Sequence, residues 1–255
     1  MSTTGFDAPH RRIALPLDHA TLAEARACVQ SFRGRVGIFK VGLQLFAAEG
    51  PAAFALTEGT DADLFADLKL CDIPQTVEGA IASLARSSTR YVTVHASGGP
   101  AMLARAAETA ERAAGGRLVV LAVTVLTSLD DGDLREQGIS EKVAEHVLRL
   151  SRMAWRAGIR GFVCSPSEVE LLRREHGPTA LLVTPGVRPT GSQDHDQKRV
   201  ATAADAVARG ADIVVVGRPL REAADPSSAA RALAEDIAQG LARRDATERA
   251  PSTRT

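Results

Sequence analysis

Two carboxylates and one ammonium group stand close together in the run FADLKLCDIPQT at 65–76. Asp67 and Lys69 are two residues apart, so in a regular strand their side chains point to the same side and lie within contact distance. Asp72 follows in the loop beyond that strand. Buried ion pairs rarely stabilise a fold more than apolar packing does, because desolvation offsets their attraction. The sequence therefore indicates a chemical site here in preference to a salt bridge that closes the strand end.

Short apolar runs alternate with amphipathic helical patterns along the whole chain, which predicts a parallel sheet covered by helices. Eight such units in 255 residues favour an α/β fold of the single-domain (β/α)₈ TIM-barrel type over an open doubly wound sheet. No Gly-x-Gly-x-x-Gly follows the first run, which disfavours a dinucleotide-binding fold. We predict a barrel domain over 11–241, flanked by disordered segments at 1–10 and 242–255. The strand candidates are 12–18, 36–42, 63–69, 90–96, 118–126, 160–165, 181–187 and 212–218.

Composition narrows the class of ligand. Lys plus Arg equals Asp plus Glu at 31 each, so no long-range field favours nucleic acid or an anionic membrane, and a small-molecule ligand is expected. Three widely spaced cysteines, Cys28, Cys71 and Cys164, argue against a disulfide framework and against a thiolate metal site. There is no apolar run of membrane-spanning or signal-peptide length, so we expect a cytoplasmic protein.

Polar residues recur where the predicted strands end, and a TIM barrel builds its sites at that rim. Arg218 follows Gly217 at the start of the last helix, where backbone N–H groups and a guanidinium would bind phosphate; a surface arginine is the alternative. For Asp18 the alternative is a helix N-cap, and for His95 it is a structural group with no part in catalysis. The rim candidates are Asp18, Lys40, Asp67, Lys69, His95, Thr127, Ser128, Gly186, Arg188, Gly217 and Arg218.

A long connection over 185–199, rich in Gly, Pro, Asp and Gln, exceeds the usual length of a strand-to-helix link and is therefore a candidate functional loop. Arg188 and Gln197 are its best candidates for contacting a ligand phosphate or a polar ring edge. A solvated loop without ligand contacts is the alternative.

The motif D-x-K-x-x-D-I-P-x-T, formed by Asp67, Lys69, Asp72, Ile73, Pro74 and Thr76, resembles that of the orotidine 5′-phosphate decarboxylases. The resemblance extends over nearly the whole predicted barrel. Relatives in the same superfamily that act on sugar phosphates usually have an acidic residue near the place of Lys40 and require magnesium, so Lys40 discriminates between the two. Further matches are Asp18, Thr127, Ser128, Arg188, Gln197, Gly217 and Arg218.

The resemblance implies loss of CO₂ from orotidine 5′-phosphate to give uridine 5′-phosphate, the last step of UMP biosynthesis, with no cofactor and no metal. Lys69 would stabilise and protonate a C6 carbanion, within a neutral set that includes Lys40, Asp67 and Asp72. It also implies a homodimer in which Asp72 and Thr76 reach the partner's site. The remaining substrate contacts would be Arg218, Gly217 and Gln197 to phosphate, Asp18 and Lys40 to ribose, and Ser128 with the backbone of Thr127 to the pyrimidine. Arg188 would be a further substrate contact.

Two rival functions remain. One is a metal-dependent sugar-phosphate decarboxylase or aldolase of the same superfamily, which a chelator would distinguish. The other is a noncatalytic barrel that senses a nucleotide through Arg218 and the loop. The four charged groups argue against the second rival, because binding alone does not need them.

Overall fold

Eight parallel strands close into a barrel in the computed structural model, which describes residues 6, 8–188 and 201–249. Each of the eight predicted runs overlaps one barrel strand, so the predicted TIM barrel is confirmed. Around the barrel the strands follow the order β1-β10-β7-β6-β5-β4-β3-β2. The barrel strands are β1 (Ile13–Pro16), β2 (Ile38–Val41), β3 (Asp63–Leu70), β4 (Thr89–His95), β5 (Val119–Val123), β6 (Gly161–Val163), β7 (Leu181–Pro185) and β10 (Ile213–Val215). A separate two-stranded sheet pairs β8 (Val187–Arg188), which closely follows β7, with β9 (Ala201–Thr202).

Helices separate the strands and cover the outside of the barrel. They are α1 (Leu22–Phe32), α2 (Leu43–Glu49), α3 (Pro74–Leu84), α4 (Pro100–Ala114), α5 (Asp131–Glu136), α6 (Val143–Arg156), α7 (Val169–His176), α8 (Ala203–Ala208), α9 (Arg218–Arg221) and α10 (Pro226–Arg249). Short 3₁₀ segments lie at Pro9–Arg12, Gly50–Ala55 and Ala96–Gly98. None of the helices in the described part of the chain is long and apolar enough to cross a membrane.

The buried side chains form two layers, because residues of each strand alternate between the inside of the barrel and the helices. The inner layer includes Phe65 and Tyr91, whose rings meet edge to face at 6.0 Å. A larger layer packs between the strands and the helices. Each fully buried aliphatic or aromatic side chain stabilises the fold by roughly 1.5–3 kcal/mol. This rigid double layer fixes the strand ends on which the candidate residues stand.

The two ends of the predicted domain differ from the sequence-based boundaries. Residues 242–249, which we expected to be disordered, are helical, because α10 continues to Arg249. Arg243 pairs with Asp205 at 3.0 Å and Arg244 lies 3.6 Å from Asp212, so this polar segment is fixed by ion pairs that its composition alone does not reveal. At the other end, Pro9–Arg12 forms a 3₁₀ segment packed on α10. Residues 1–5, 7 and 250–255 lie outside the described part of the chain.

Candidate active site

Three charged side chains meet at the mouth of the barrel, where β2 and β3 end. One carboxylate oxygen of Asp67 lies 3.0 Å from Nζ of Lys40, and the other lies 2.9 Å from Nζ of Lys69. The Asp67 side chain is only 13% exposed. Burial alone would raise the pKa of Asp67, but the two ammonium groups outweigh it, so this pKa lies below its ordinary value. Asp67 is therefore ionised at neutral pH, and the three groups together carry one net positive charge.

The backbone around Lys69 is not that of a regular strand. Lys69 has φ 49° and is the one non-glycine residue with positive φ among those described. Asp67 and Lys69 do contact each other as expected, but strict alternation along a regular strand is not the reason. The pairing of β3 with β4 shifts register between Ala66 and Leu70, and this irregularity directs both side chains to the mouth. A non-glycine residue held in such a conformation costs roughly 1–3 kcal/mol and persists only where its surroundings fix it.

Asp18 lies on the same side of the mouth, just after β1. The alternative role considered for it, capping of α1, belongs to Thr21, whose hydroxyl accepts a hydrogen bond from the Glu24 N–H at 3.3 Å. A Cβ at Gly42 would lie 3.5 Å from Oδ1 of Asp18 and 3.3 Å from Nζ of Lys40, so these two groups approach one point. The carboxylate of Asp18 lines the cavity, with its Oδ2 3.8 Å from the guanidinium of Arg221. We call Asp18, Lys40, Asp67 and Lys69 the charged wall.

A cavity of about 650 Å³ opens at the same end of the barrel. The charged wall, from β1 to β3, forms one side of it. The opposite side comes from β5, β6 and β7 and presents aliphatic side chains. We call this side the apolar wall; its members are Val123, Val163, Val183 and Pro185. The cavity therefore has a charged side and an aliphatic side, and its volume is in the range of small-molecule sites.

The last strand supplies Gly217 and Arg218 to the cavity rim. Gly217 is the N-cap of α9, and Pro219 stands in its first turn. The sequence predicted these residues at the start of the last helix, but α9 is a separate four-residue helix and the last helix, α10, begins at Pro226. The backbone N–H groups at the start of a helix and a guanidinium group can both donate hydrogen bonds to an oxyanion. Gly186, at the end of β7, and Thr127, in the turn after β5, also line the cavity.

His95 lies at the end of β4, near the charged wall. Burial and the neighbouring Lys69 lower the pKa of His95. Asp67 acts in the opposite direction but is outweighed, so the pKa lies below its ordinary value. The lowered pKa favours the neutral imidazole and leaves both roles of His95 open.

Some predicted residues are not brought to the cavity by the chain as described. Asp72 is exposed, and its Oδ1 accepts the N–H of Ile73 at 2.6 Å. Thr76 and Ser128 are also exposed, and neither lines the cavity. Gln197 lies outside the described residues, and of Arg188 only the backbone, in β8, is described. Of the four charged groups predicted to act together, one chain brings together Lys40, Asp67 and Lys69, whereas its Asp72 lies outside the cavity.

Three residues near the site were missed by the sequence analysis. Thr93, in β4, hydrogen-bonds both Asp67 and Lys69. Arg221 lines the cavity and donates to the carbonyl oxygen of Asp18 at 2.7 Å. Gly42 leaves the space that Lys40 and Asp18 share. Gly42 and Arg221 each follow a recognised residue closely in sequence and could have been flagged on that ground, whereas nothing in the local sequence marks Thr93.

Within the described ranges, no group of three or more His, Cys, Asp or Glu side chains is arranged to hold a metal ion. The absence of a cofactor stays a prediction from the resemblance.

Comparison with known proteins identifies the family of this chain. A model of the Orotidine 5′-phosphate decarboxylase / HUMPS family matches residues 11–233. An orotidine 5′-phosphate decarboxylase of Anaeromyxobacter sp. (strain K) is 51% identical over 229 residues, covering 90% of this chain and 99% of that protein. One from Geobacter sulfurreducens is 42% identical over 236 residues, covering 92% of this chain and 99% of that protein.

Solved structures agree with these sequence matches. A crystal structure of orotidine 5′-phosphate decarboxylase from Lactobacillus acidophilus superposes with a TM-score of 0.79 at 35% identity, covering 89% of this chain and 99% of that one. A matching barrel, a matching family model and relatives of this identity leave one assignment: the chain belongs to the orotidine 5′-phosphate decarboxylase / HUMPS family.

Proposed function

We propose that this protein is a carboxy-lyase that converts orotidine 5′-phosphate to uridine 5′-phosphate, the last step of UMP biosynthesis. The observation that carries the proposal is the contact of Asp67 with both Lys40 and Lys69 at the mouth of a half-apolar cavity. Relatives that share up to 51% of their residues with this chain bear the name of that decarboxylase.

The chemistry requires a carbanion to be stabilised. When the bond between C6 and the carboxylate breaks, CO₂ leaves and the electron pair stays on C6, in an orbital that the ring π system cannot delocalise. The ammonium of Lys69 stabilises that charge and then donates a proton to C6, so that uridine 5′-phosphate forms and the lysine is left neutral until it is reprotonated. Decarboxylation thus needs a cation that is fixed in place before the charge develops.

Asp67 has two effects on this step. Its carboxylate holds Lys69 at 2.9 Å, and it stands where the substrate carboxylate would approach. Two unit charges about 4 Å apart repel by roughly 4 kcal/mol at an effective dielectric constant near 20. That repulsion disappears as CO₂ leaves, but it is small beside the roughly 8–23 kcal/mol by which enzymes lower barriers. We therefore assign the larger share to Lys69.

The remaining contacts position the substrate. Gly217 and Arg218 bind the phosphate with Gln197 and Arg188 of the long connection, and Asp18 with Lys40 binds the ribose hydroxyl groups. Thr127, which lines the cavity, and Ser128, which follows it in the same turn but does not line the cavity, bind the pyrimidine edge. Because phosphate binding is remote from C6, its binding energy can raise kcat as well as affinity.

A homodimer is part of the proposal, with Asp72 and Thr76 completing the partner's site. Support comes from three exposed apolar side chains near the mouth: Leu43, Ile73 and Leu126 are 57%, 65% and 37% exposed. Ile73 directly follows Asp72, so a second copy that covered Ile73 would also bury Asp72.

We also propose a cytoplasmic location, which cell fractionation can test.

An ultraviolet assay with orotidine 5′-phosphate, with and without a chelator, tests the function. We expect equal decarboxylation in both conditions. Loss of activity on metal removal would favour the sugar-phosphate lyase class, and binding without turnover would favour a nucleotide sensor.

A mixing experiment tests the shared site separately. Lys69→Ala and Asp72→Ala proteins, each inactive alone, are unfolded together and refolded. We expect activity to return, because a mixed dimer holds one site with both native residues. No recovery, although size-exclusion chromatography shows mixed dimers, would contradict the shared site.

A further inference from the structure

Thr93 lies opposite the irregular part of β3. On either side of the irregularity, Ala66 pairs with Val92 and Leu70 pairs with Val94. The three residues from Asp67 to Lys69 therefore face a single residue of β4, which is Thr93. Its side chain is fully buried, so its hydroxyl has to find partners within the protein.

The hydroxyl of Thr93 finds two partners, both in the charged wall. It donates to Oδ1 of Asp67 at 2.9 Å, and it accepts the backbone N–H of Lys69 at 2.9 Å. The same Oδ1 also accepts from Nζ of Lys69 at 2.9 Å. A closed ring of hydrogen bonds thus connects the backbone of Lys69, the hydroxyl, the carboxylate and the ammonium group. The Lys69 N–H and ammonium group can only donate and the Asp67 carboxylate can only accept, so the Thr93 hydroxyl must accept from the N–H and donate to the carboxylate.

We infer that Thr93 is a positioning residue for decarboxylation, which holds Lys69 in its left-handed backbone conformation and Asp67 in the rotamer that orients the ammonium group. The inference rests on the proposed function, because decarboxylation is the reaction that the positioning serves, whereas the contacts themselves do not depend on it. A left-handed lysine needs an external restraint, and among the described contacts the Thr93 hydroxyl is the one that fixes the Lys69 N–H. Without the hydroxyl, that N–H loses its acceptor and the backbone can relax toward ordinary strand geometry.

Thr93→Val tests the hydroxyl, because valine keeps the shape and removes the hydrogen bonds. Since a misplacement of about 1 Å can cost 10²-fold in rate, we expect kcat to fall roughly 10- to 100-fold. Inhibition by uridine 5′-phosphate should change much less, because that ligand lacks the carboxylate and is held mainly at its phosphate and ribose. Thr93→Ser keeps the hydroxyl and should restore most of kcat.

Thr89→Val is the matched control. Thr89 is also fully buried, lies at the other end of β4, and its hydroxyl contacts that of Ser87 at 2.7 Å. It shares the strand and the chemical change but not the site, so it can lower thermal stability without lowering kcat.

Two results would overturn the inference: an unchanged kcat in Thr93→Val, or a Thr93→Ser protein as slow as Thr93→Val. A parent protein that does not turn over orotidine 5′-phosphate would instead refute the proposed function. In that case crystal structures of the variants still decide the positioning role: Lys69 should keep positive φ in Thr93→Ser and lose it in Thr93→Val. Positive φ in both would refute the role.

Discussion

The charged wall and the apolar wall face each other across one cavity, yet they come from separate arcs of the barrel. The charged wall stands on β1, β2 and β3, and the apolar wall stands on β5, β6 and β7. Two strands separate the arcs: β4, which contributes Thr93, and β10, which leads to Gly217 and Arg218. Because the apolar wall has no charged member, it can exclude water, and a lower local dielectric strengthens every interaction made by Lys69. The separation itself is thus part of the catalytic design.

Removing the Lys69 ammonium group from the charged wall should have the largest effect. We expect Lys69→Ala to lower kcat by about 10⁴-fold or more, because both charge stabilisation and proton donation are lost. Circular dichroism should show an intact barrel, since Lys69 is at the rim. Lys142→Ala, at an exposed position beside α6, is the control and should keep parent activity. Substantial turnover by Lys69→Ala would remove this lysine from its role.

Neutralising the carboxylate between the two lysines should have the next largest effect. In Asp67→Asn the ammonium groups of Lys40 and Lys69 repel each other without compensation, and we expect kcat to fall roughly 10²- to 10³-fold. Asp63→Asn, at the opposite end of the same strand, serves as the control in the same steady-state assay. Equal effects of the two changes would contradict a specific role for Asp67.

Adding polarity to the apolar wall should have a smaller effect. Val163→Thr keeps the volume but adds a hydroxyl that can hold water, and we expect kcat to fall by about 10-fold or less. Val163→Ala removes methyl groups without adding polarity and separates shape from dielectric. If kcat is lower in the alanine variant than in the threonine variant, the apolar wall contributes to turnover through packing against the base and not through exclusion of water.

Crowding the charged wall should have a smaller effect still. A Cβ at Gly42 would stand 3.3 Å from Nζ of Lys40, so the lysine must shift by a few tenths of an ångström. The φ of Gly42 is −98°, which alanine adopts freely. We expect Gly42→Ala to raise KM a few-fold with little change in kcat. Gly79→Ala, where a Cβ meets open space, should leave both constants unchanged, and a matching rise in KM there would refute the steric explanation.

The smallest effect concerns stability and is confined to acid pH. Because the pKa of folded Asp67 lies below its ordinary value of 3.8, the unfolded chain binds the proton first as pH falls. The resulting stabilisation is complete above pH 3.8 and disappears as pH falls through the folded pKa. Urea unfolding should therefore show a steeper loss of unfolding free energy below pH 3.8 in the parent than in Asp67→Asn. Parallel pH profiles would contradict this.

Sequence reasoning located most of the charged wall because the rule behind it is local and topological. Asp18, Lys40, Asp67 and Lys69 each follow a recognisable apolar run, and parallel strands in a barrel bring such ends together. Gly217 with Arg218 was located by the same rule. The contact between Lys69 and Asp67 was predicted, although from regular strand geometry that the chain does not have.

The irregularity of β3 could not be predicted, because it depends on how β4 pairs with it. A register shift is a property of two strands distant in sequence, and neither DLFADLK nor RYVTVHA signals it. Thr93 was missed for the same reason, since in its own strand it looks like any β-branched residue. The helical end of α10 was missed because ion pairs with Asp205 and Asp212 involve distant partners.

The left-handed conformation of Lys69 sets activity against stability. Glycine adopts positive φ without steric penalty, so Lys69→Gly would relieve the backbone while Asp67 kept its contact with Lys40. Screening variants of this chain for heat resistance alone would then favour glycine at a position where we expect lysine to be required for decarboxylation. A thermostable but inactive protein is the outcome to expect from engineering that ignores this residue.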